Sequence, residues 1–144
     1  MHGHLELIHT EENSPHFNMP YTPAIRVRRG IPIYLAGVTA APIYHSHPHV
    51  PAEFDEVPDE AQRQAEMCME NLLTVLTAAG ATVTDLVDLT RYVVDLDRNQ
   101  DAINRVMGRY LGEHRPATTT VEVVRLATDP KLVLELRAVA VAPE

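Results

Sequence analysis

The sequence predicts an α+β fold in which a β-sheet carries two helices on one side. Two segments repeat apolar residues at helical spacing, and six short runs are rich in β-branched residues, which predicts the order β-β-β-α-β-α-β-β. The length of 144 residues suits one domain, so we expect residues 1–144 to form a single unit. Both faces of the last predicted strand are largely apolar, which indicates that another subunit covers one of them.

The composition is that of an ordinary globular protein, with 45% hydrophobic and 22% charged residues. No apolar run approaches the roughly 20 residues that cross a bilayer, and the first residues lack the basic and apolar regions of a secretory signal. The single cysteine, Cys68, allows no internal disulfide. We therefore expect a cytoplasmic protein without a membrane partner.

The chain carries a formal charge of −8, and its 12 Lys and Arg residues are scattered along the sequence. This acidic balance works against electrostatic capture of nucleic acid or of an anionic membrane surface. Arg26, Arg28 and Arg29 form a local basic cluster, which we interpret as a solvated strand edge rather than as a contact for a small anion. We predict no nucleic-acid partner.

The first part of the chain predicts three short strands and a long connection. Residues 5–9 predict a strand, and residues 24–28 and 31–35 predict a β-hairpin across Arg29 and Gly30. Residues 37–58 then contain four prolines and the segment YHSHPH. Because a connection longer than about 15 residues is more often functional or mobile than merely connecting, this loop is a candidate part of a site.

The first helix is predicted over residues 61–79, where apolar side chains recur at helical spacing. Asp59 and Gln62 are spaced like a capping box at its start, and Gly80 marks its end. Cys68 lies on the apolar stripe of this helix. We interpret it as an inert core residue rather than as a reactive thiol.

A strand and the second helix come next. Residues 86–96 are rich in Val, Leu, Thr and Tyr and predict a strand. Asp97 and Gln100 resemble a second capping box, which predicts a helix that continues through Leu111. Gly112 stops it.

The last two predicted strands are residues 118–126 and 132–141, joined by a turn at Asp129 and Pro130. Strand side chains alternate between two faces. One face of the final strand carries Leu132, Leu134, Leu136, Ala138 and Ala140, and the other carries Val133, Glu135, Arg137, Val139 and Val141. Two helices cover only one side of such a sheet, so the uncovered apolar side predicts a homo-oligomer.

Five segments, in order along most of the chain, resemble the Rid/YjgF family of reactive intermediate deaminases, also called L-PSP endoribonuclease-like proteins. They are YLAG at 34–37, NLLTVLTAAGATVTDLVDLTRYVVDL at 71–96, INRVMGRYL at 103–111, RPATTTVEV at 115–123 and LELRAVAV at 134–141. The resemblance implies a chorismate-mutase-like α+β subunit with a mixed sheet. It also implies a homotrimer with a barrel-like centre and small-molecule clefts between subunits.

The resemblance implies a chemistry as well. The first-named members of this family hydrolyse reactive enamines and imines, such as 2-aminoacrylate, to the keto acid and ammonia without metal or organic cofactor. Three positions that match the family pattern keep its residue: Tyr21, Asn104 and Glu135, the last being the glutamate thought to position or activate water. We therefore predict Glu135 as the catalytic residue and no cofactor.

Three other positions depart from the family pattern. The arginine that holds the substrate carboxylate is Thr118 here, the serine before Gly37 is Ala36, and the cysteine two residues after the arginine is Thr120. A threonine hydroxyl makes one neutral hydrogen bond but supplies no charge. The predicted substrate-binding residues are Tyr21, Ala36, Gly37, Asn104, Thr118, Thr120 and Arg137.

Glu135 and Arg137 share one face of the final strand, as either a structural pair or parts of a pocket at a subunit interface. Burial among valines is expected to raise the pKa of Glu135, whereas a nearby Arg137 would lower it again. Arg91 and Arg115 are candidates to replace the arginine absent at Thr118, since sequence alone does not fix where their side chains point.

The alternating histidines of the long loop have two interpretations. His45, His47 and His49 are spaced as metal ligands could be, but a proline interrupts them and no Cys, Asp or Glu pattern accompanies them. We favour a loop near the mouth of the cleft that recognises substrate or faces solvent. No metal site is predicted.

Three functions remain open at this point. The first is a deaminase or related hydrolase acting on a small enamine or imine, such as a 2-imino acid or an aminomuconate-like acid. The second is a non-catalytic, ligand-binding or regulatory trimer, which the residues at Ala36, Thr118 and Thr120 favour. The third is a ribonuclease, which the acidic balance makes least favoured.

Overall fold

The computed structural model describes residues 3–11 and 19–144, and these form six strands and two α-helices in the predicted order. The elements are β1 (Leu5–Ile8), β2 (Ala24–Val27), β3 (Ile31–Tyr34), α1 (Ala61–Ala78), β4 (Leu86–Val94), α2 (Leu96–Leu111), β5 (Ala117–Val123) and β6 (Leu134–Ala142). Neither helix within these ranges is long and apolar enough to cross a membrane.

The main sheet has four strands in the order β3-β6-β4-β5. The β4 and β5 strands are parallel, because α2 returns the chain between them, and the other two pairings are antiparallel. The sheet is therefore mixed, as the resemblance implied. Within the described residues its strands do not close into a barrel.

The predicted hairpin between the second and third strands is wrong. The β2 strand pairs with β1 in a separate two-stranded ladder, and β3 pairs with β6. Gly30 stands between them at a φ of +121°, and a Cβ there would lie 2.5 Å from the carbonyl oxygen of Ala142. The glycine thus lets the chain leave one ladder and enter the other against the end of β6.

Both helices pack on one face of the sheet, where the main core forms. Leu72 and Leu76 of α1, Ile103 of α2 and Leu136 of β6 are fully buried there. Cys68 is buried in the same core, and burial raises the pKa of its thiol well above the usual value. This is the environment expected for an inert cysteine.

The helix ends match the sequence at their glycines but not at their caps. Gly80 and Gly112 adopt φ values of +76° and +61° just beyond the two helices. The predicted capping boxes at Asp59 and Asp97 are wrong, since neither helix has a side-chain cap from its N-cap residue. Instead, Oε2 of Glu122 on β5 accepts the Leu96 backbone N–H at 2.9 Å.

The long connection after β3 is packed against the rest of the chain. Ala41, Phe54 and Val57 from it are buried with Leu126 and Leu132 in a second apolar cluster. The final strand begins at residue 134 rather than 132, and Leu132 lies in this cluster. Strands β4 and β5 likewise end earlier than predicted, at residues 94 and 123.

Candidate functional site

The strand register places the predicted site residues on opposite faces of the sheet. Thr118 pairs with Leu89, and Glu135 pairs with Tyr92. Directly paired residues project to the same face, and Leu89 lies in the core beneath the helices. Thr118 therefore lies on the helix side, and Glu135 lies on the other side, which we call the open face.

Glu135 lies in a cavity of about 360 Å³, the open-face pocket. Ala36, Gly37 and Arg137, three of the predicted substrate-binding residues, line the same pocket. Gly37 comes so close that a Cβ added to it would lie 2.7 Å from Oε2 of Glu135. Only glycine at this position leaves the carboxylate where it is.

The carboxylate of Glu135 has no charged partner in the described ranges. It is half-buried, and this burial raises its pKa above the usual value of 4.5, the direction expected from sequence. Arg137 lines the pocket but forms no ion pair with it. Glu135 and Arg137 thus line one pocket without pairing, and whether this pocket lies at a subunit interface stays a prediction. A carboxyl group of raised pKa exchanges protons closer to neutral pH.

A second cavity, of about 220 Å³, lies on the helix side between β4, β5 and α2, and we call it the helix-side pocket. Asn104 and Thr118 line it, so the structure brings these two predicted residues together. The Thr118 hydroxyl donates to the carbonyl oxygen of Pro116 at 3.0 Å. Thr120 is on the same face, paired with Arg91, but does not line the pocket.

The segment before β2 closes one side of the helix-side pocket. Met19 and Pro20 line the pocket, and the backbone N–H of Thr22 donates to the carbonyl oxygen of Pro116 at 3.3 Å. Tyr21 lies between Pro20 and Thr22 in the sequence and is 37% exposed. It is beside the pocket rather than among its described lining residues.

The histidine loop is held by contacts within the chain. His49 Nε2 lies 3.0 Å from Oδ2 of Asp129, and its ring stacks on Phe54 with centroids 4.7 Å apart. His45 and Gly37 line a common small cavity, so the loop does reach the neighbourhood of the open-face pocket. No group of three or more His, Cys, Asp or Glu suited to a metal occurs among residues 3–11 and 19–144.

Sequence reasoning did not select two residues of the open-face pocket, Tyr92 and Arg125. Tyr92 carries a usable signal, because strand alternation separates it from the buried Val93. Only the register with Glu135 reveals which face it joins. Arg125 lies just beyond the end of β5 at Val123, although the predicted strand 118–126 included it.

Comparisons with known proteins identify the family of the chain. A family model described as Endoribonuclease L-PSP matches residues 11–142. The chain is 34% identical over 135 residues to a RutC family protein of Pyrococcus abyssi, covering 94% of this chain and 95% of that protein. It is 36% identical over 89 residues to the 2-iminobutanoate/2-iminopropanoate deaminase of Escherichia coli strain K12, covering 60% and 67% of the two chains.

Solved structures give the same result. The crystal structure of YyfB, a conserved Rid family protein of Yersinia pestis, matches with a TM-score of 0.75 and 26% identity, covering 96% of this chain and 98% of that one. The predicted YjgF-like subunit fold is therefore confirmed. With the family match over residues 11–142 and this shared fold, the chain belongs to the Rid/YjgF family of L-PSP-like proteins.

Proposed function

We propose that the protein is a cofactor-free deaminase that hydrolyses a small enamine or imine, with Glu135 as its acid–base group. The observation that carries this proposal is the half-buried carboxylate of Glu135, which has a raised pKa and lines a pocket beside Gly37. The deaminase name of the Escherichia coli relative supports the reaction class.

The proposed reaction needs only water and one proton-exchanging group. Glu135 in its neutral form donates a proton to the imine nitrogen and then, as a carboxylate, accepts one from the attacking water. A C–O bond forms at the imine carbon, and the C–N bond breaks. Water supplies the oxygen of the ketone and two hydrogens to nitrogen, so the products are the keto acid and ammonia. An enamine first takes a proton at carbon to become the imine.

We further propose a homotrimer with its clefts between subunits. Tyr34 and Val121 on the open face are 74% and 39% exposed, and Val139 lies between them on β6 as a half-buried residue. Such apolar surface favours cover by another subunit. Because Glu135 and Thr118 lie on opposite sides of one sheet, a single small substrate touches both only where two subunits meet.

Ammonia release tests the reaction. Purified protein is given 2-aminoacrylate generated in place, 2-iminobutanoate and an aminomuconate, and we expect turnover of at least one above the rate in buffer. Ammonia formation at the buffer rate with all three would reject the deaminase proposal.

Subunit mixing tests the shared cleft. Glu135→Gln subunits and Asn104→Leu subunits, each weakly active alone, are unfolded together and refolded as mixed oligomers. A cleft that combines the intact Glu135 of one subunit with the intact Asn104 of another is expected to regain activity. The mixed oligomers should therefore release ammonia faster than either variant alone. An oligomer whose mass differs from three times the 16.0 kDa chain rejects the trimer.

A second candidate is a ligand-binding trimer without deaminase activity. The specific observation in its favour is Thr118, which brings no charge to the helix-side pocket and whose hydroxyl already donates to Pro116. Thr118→Arg separates the two. A variant that gains 2-imino acid hydrolysis over an inactive parent would favour the second candidate.

A further inference from the structure

We infer that Arg91 binds the ligand's carboxylate in the helix-side pocket, replacing from β4 the arginine that this chain lacks at Thr118. The inference rests on the proposed function for the identity of the ligand as a small imino or keto acid. It assigns the anchoring charge to a residue outside the family's P-A motif on β5.

Among residues 3–11 and 19–144, Arg91 is a buried cation without a charged partner. The residue is only 9% exposed, and its Nε has no hydrogen-bond partner in the same ranges. In the same ranges its one side-chain hydrogen bond runs from Nη1 to the sulfur of Met107 at 3.7 Å, a weak acceptor. Burial of a charge is costly unless the charge is paired and hydrogen-bonded, and this burial lowers the pKa of Arg91.

The helix-side pocket supplies no acid to balance that charge. Its described lining contains no Asp or Glu, and its polar members are Arg91, Asn104, Arg115 and Thr118. Apolar side chains such as Leu89 and Met107 form much of the remaining wall. A ligand that carries its own negative charge therefore fits this pocket better than a neutral one.

The other cation of the pocket is already used by the backbone. Nη1 of Arg115 donates to the carbonyl oxygens of Gly112 and His114, at the end of α2. These contacts satisfy carbonyl groups that a helix terminus leaves without partners. Arg115 is also partly exposed, so water can solvate its remaining donors, whereas Arg91 is buried and its Nε donor has no hydrogen-bond partner in the described structure.

The register places Arg91 beside the position that the family uses. Thr118 pairs with Leu89 on β4, and Arg91 lies two residues further along the same face. Neighbouring strands are about 4.8 Å apart, so both positions address one pocket. A guanidinium suits a carboxylate because its planar fork makes two parallel hydrogen bonds, and the short Thr118 side chain leaves that space open.

The size of the pocket limits the ligand. Its volume of about 220 Å³ is below the roughly 300–1,000 Å³ of sites for drug-sized molecules. A short-chain keto or imino acid fits such a volume. Asn104 offers both a donor and an acceptor for the group next to the carboxylate.

Calorimetric titration of the intact oligomer with 2-oxobutanoate, and with its neutral amide 2-oxobutanamide, tests the inference. We expect the parent to prefer the acid, and Arg91→Met to weaken acid binding about 10- to 100-fold while leaving the amide nearly unchanged. Arg91→Lys keeps the charge without the fork and should fall between them. Arg98→Met, an exposed change on α2, is the matched control.

The parent protein can overturn the inference even if the Arg91 variants do not fold. Equal binding of acid and amide by the parent, or no binding of the acid, overturns the inference; so does unchanged acid affinity in folded Arg91→Met. Equal affinity of the parent for the acid and the amide is also expected if Glu135 of a neighbouring subunit neutralises the charge of Arg91. If acid binding depends on Arg91 but no ammonia is released, the deaminase proposal is rejected and the role of Arg91 in binding stands. If ammonia is released and Arg91→Met leaves KM unchanged, the deaminase proposal stands and the role of Arg91 is rejected.

Discussion

The two faces of the sheet carry pockets that differ in their key ionisable residue, which is an acid on the open face and a buried arginine on the helix side. On the open face, Glu135 is half-buried beside Gly37 and shares its pocket with Arg125 and Arg137, but it forms no ion pair within the described ranges. On the helix side, Arg91 is buried beside Thr118 and Asn104, and no acid lines that pocket in the described ranges. Under the proposed function, the open-face pocket supplies the chemistry and the helix-side pocket binds the carboxylate of the imine.

This difference follows from how each face is covered. The helix side is covered by α1 and α2, so a charged residue there has lost much of its water, which is costly without a partner. Neither α1 nor α2 covers the open face, and Glu135 there stays half-exposed.

Glu135→Gln should separate chemistry from binding. We expect kcat for ammonia release to fall about 100- to 10,000-fold, because an amide cannot exchange the proton. Affinity for 2-oxobutanoate should stay close to that of the parent, since the carboxylate anchor lies on the other face. Exposed Glu113→Gln is the control. A kcat equal to the parent's would remove Glu135 from the chemistry.

Leu136→Ala and Val139→Ala compare the two faces on one strand. Leu136 is fully buried under the helices, so its truncation should lower the free energy of unfolding by about 2–5 kcal/mol. Val139 lies on the open face, and its truncation should instead weaken assembly. Urea unfolding at fixed protein concentration and sedimentation equilibrium measure the two effects. A larger unfolding loss for Val139→Ala would contradict the assignment of the core.

Gly37→Ala should displace the carboxylate without removing it. The new Cβ would lie 2.7 Å from Oε2 of Glu135, and misplacement of a catalytic group by about 1 Å costs up to roughly 100-fold in rate. Steady-state kcat measures this. Gly3→Ala, whose Cβ would meet only Arg29 at 3.7 Å, is the control. A further loss of activity in the Glu135→Gln background would show that Gly37 does not act through Glu135.

The smallest effect is on stability as a function of pH. Because burial raises the pKa of Glu135 in the folded chain, folding is penalised as pH rises from the usual value of 4.5 through the raised value. Glutamine does not titrate, so Glu135→Gln should have a higher Tm than the parent above that window. The difference should vanish below pH 4.5. A Tm difference independent of pH would show that ionisation of Glu135 is not its cause.

Much of the candidate site was accessible from sequence because its residues lie inside recognisable motifs. Glu135, Gly37, Asn104 and Thr118 were selected there, and each lines one of the two pockets. What sequence could not give is their division between the pockets. That division depends on register, and a shift of one residue would reverse every side chain.

The sequence by itself determined the order of strands and helices, the helix stops at Gly80 and Gly112, and the two-sided apolar pattern of the last strand. These features are local, since they depend on periodicity and on glycine conformations. Tertiary structure alone decided that β3 joins β6 and that Glu122 caps α2. It also left the buried Nε of Arg91 without a hydrogen-bond partner among residues 3–11 and 19–144. These outcomes depend on contacts between residues far apart in the chain.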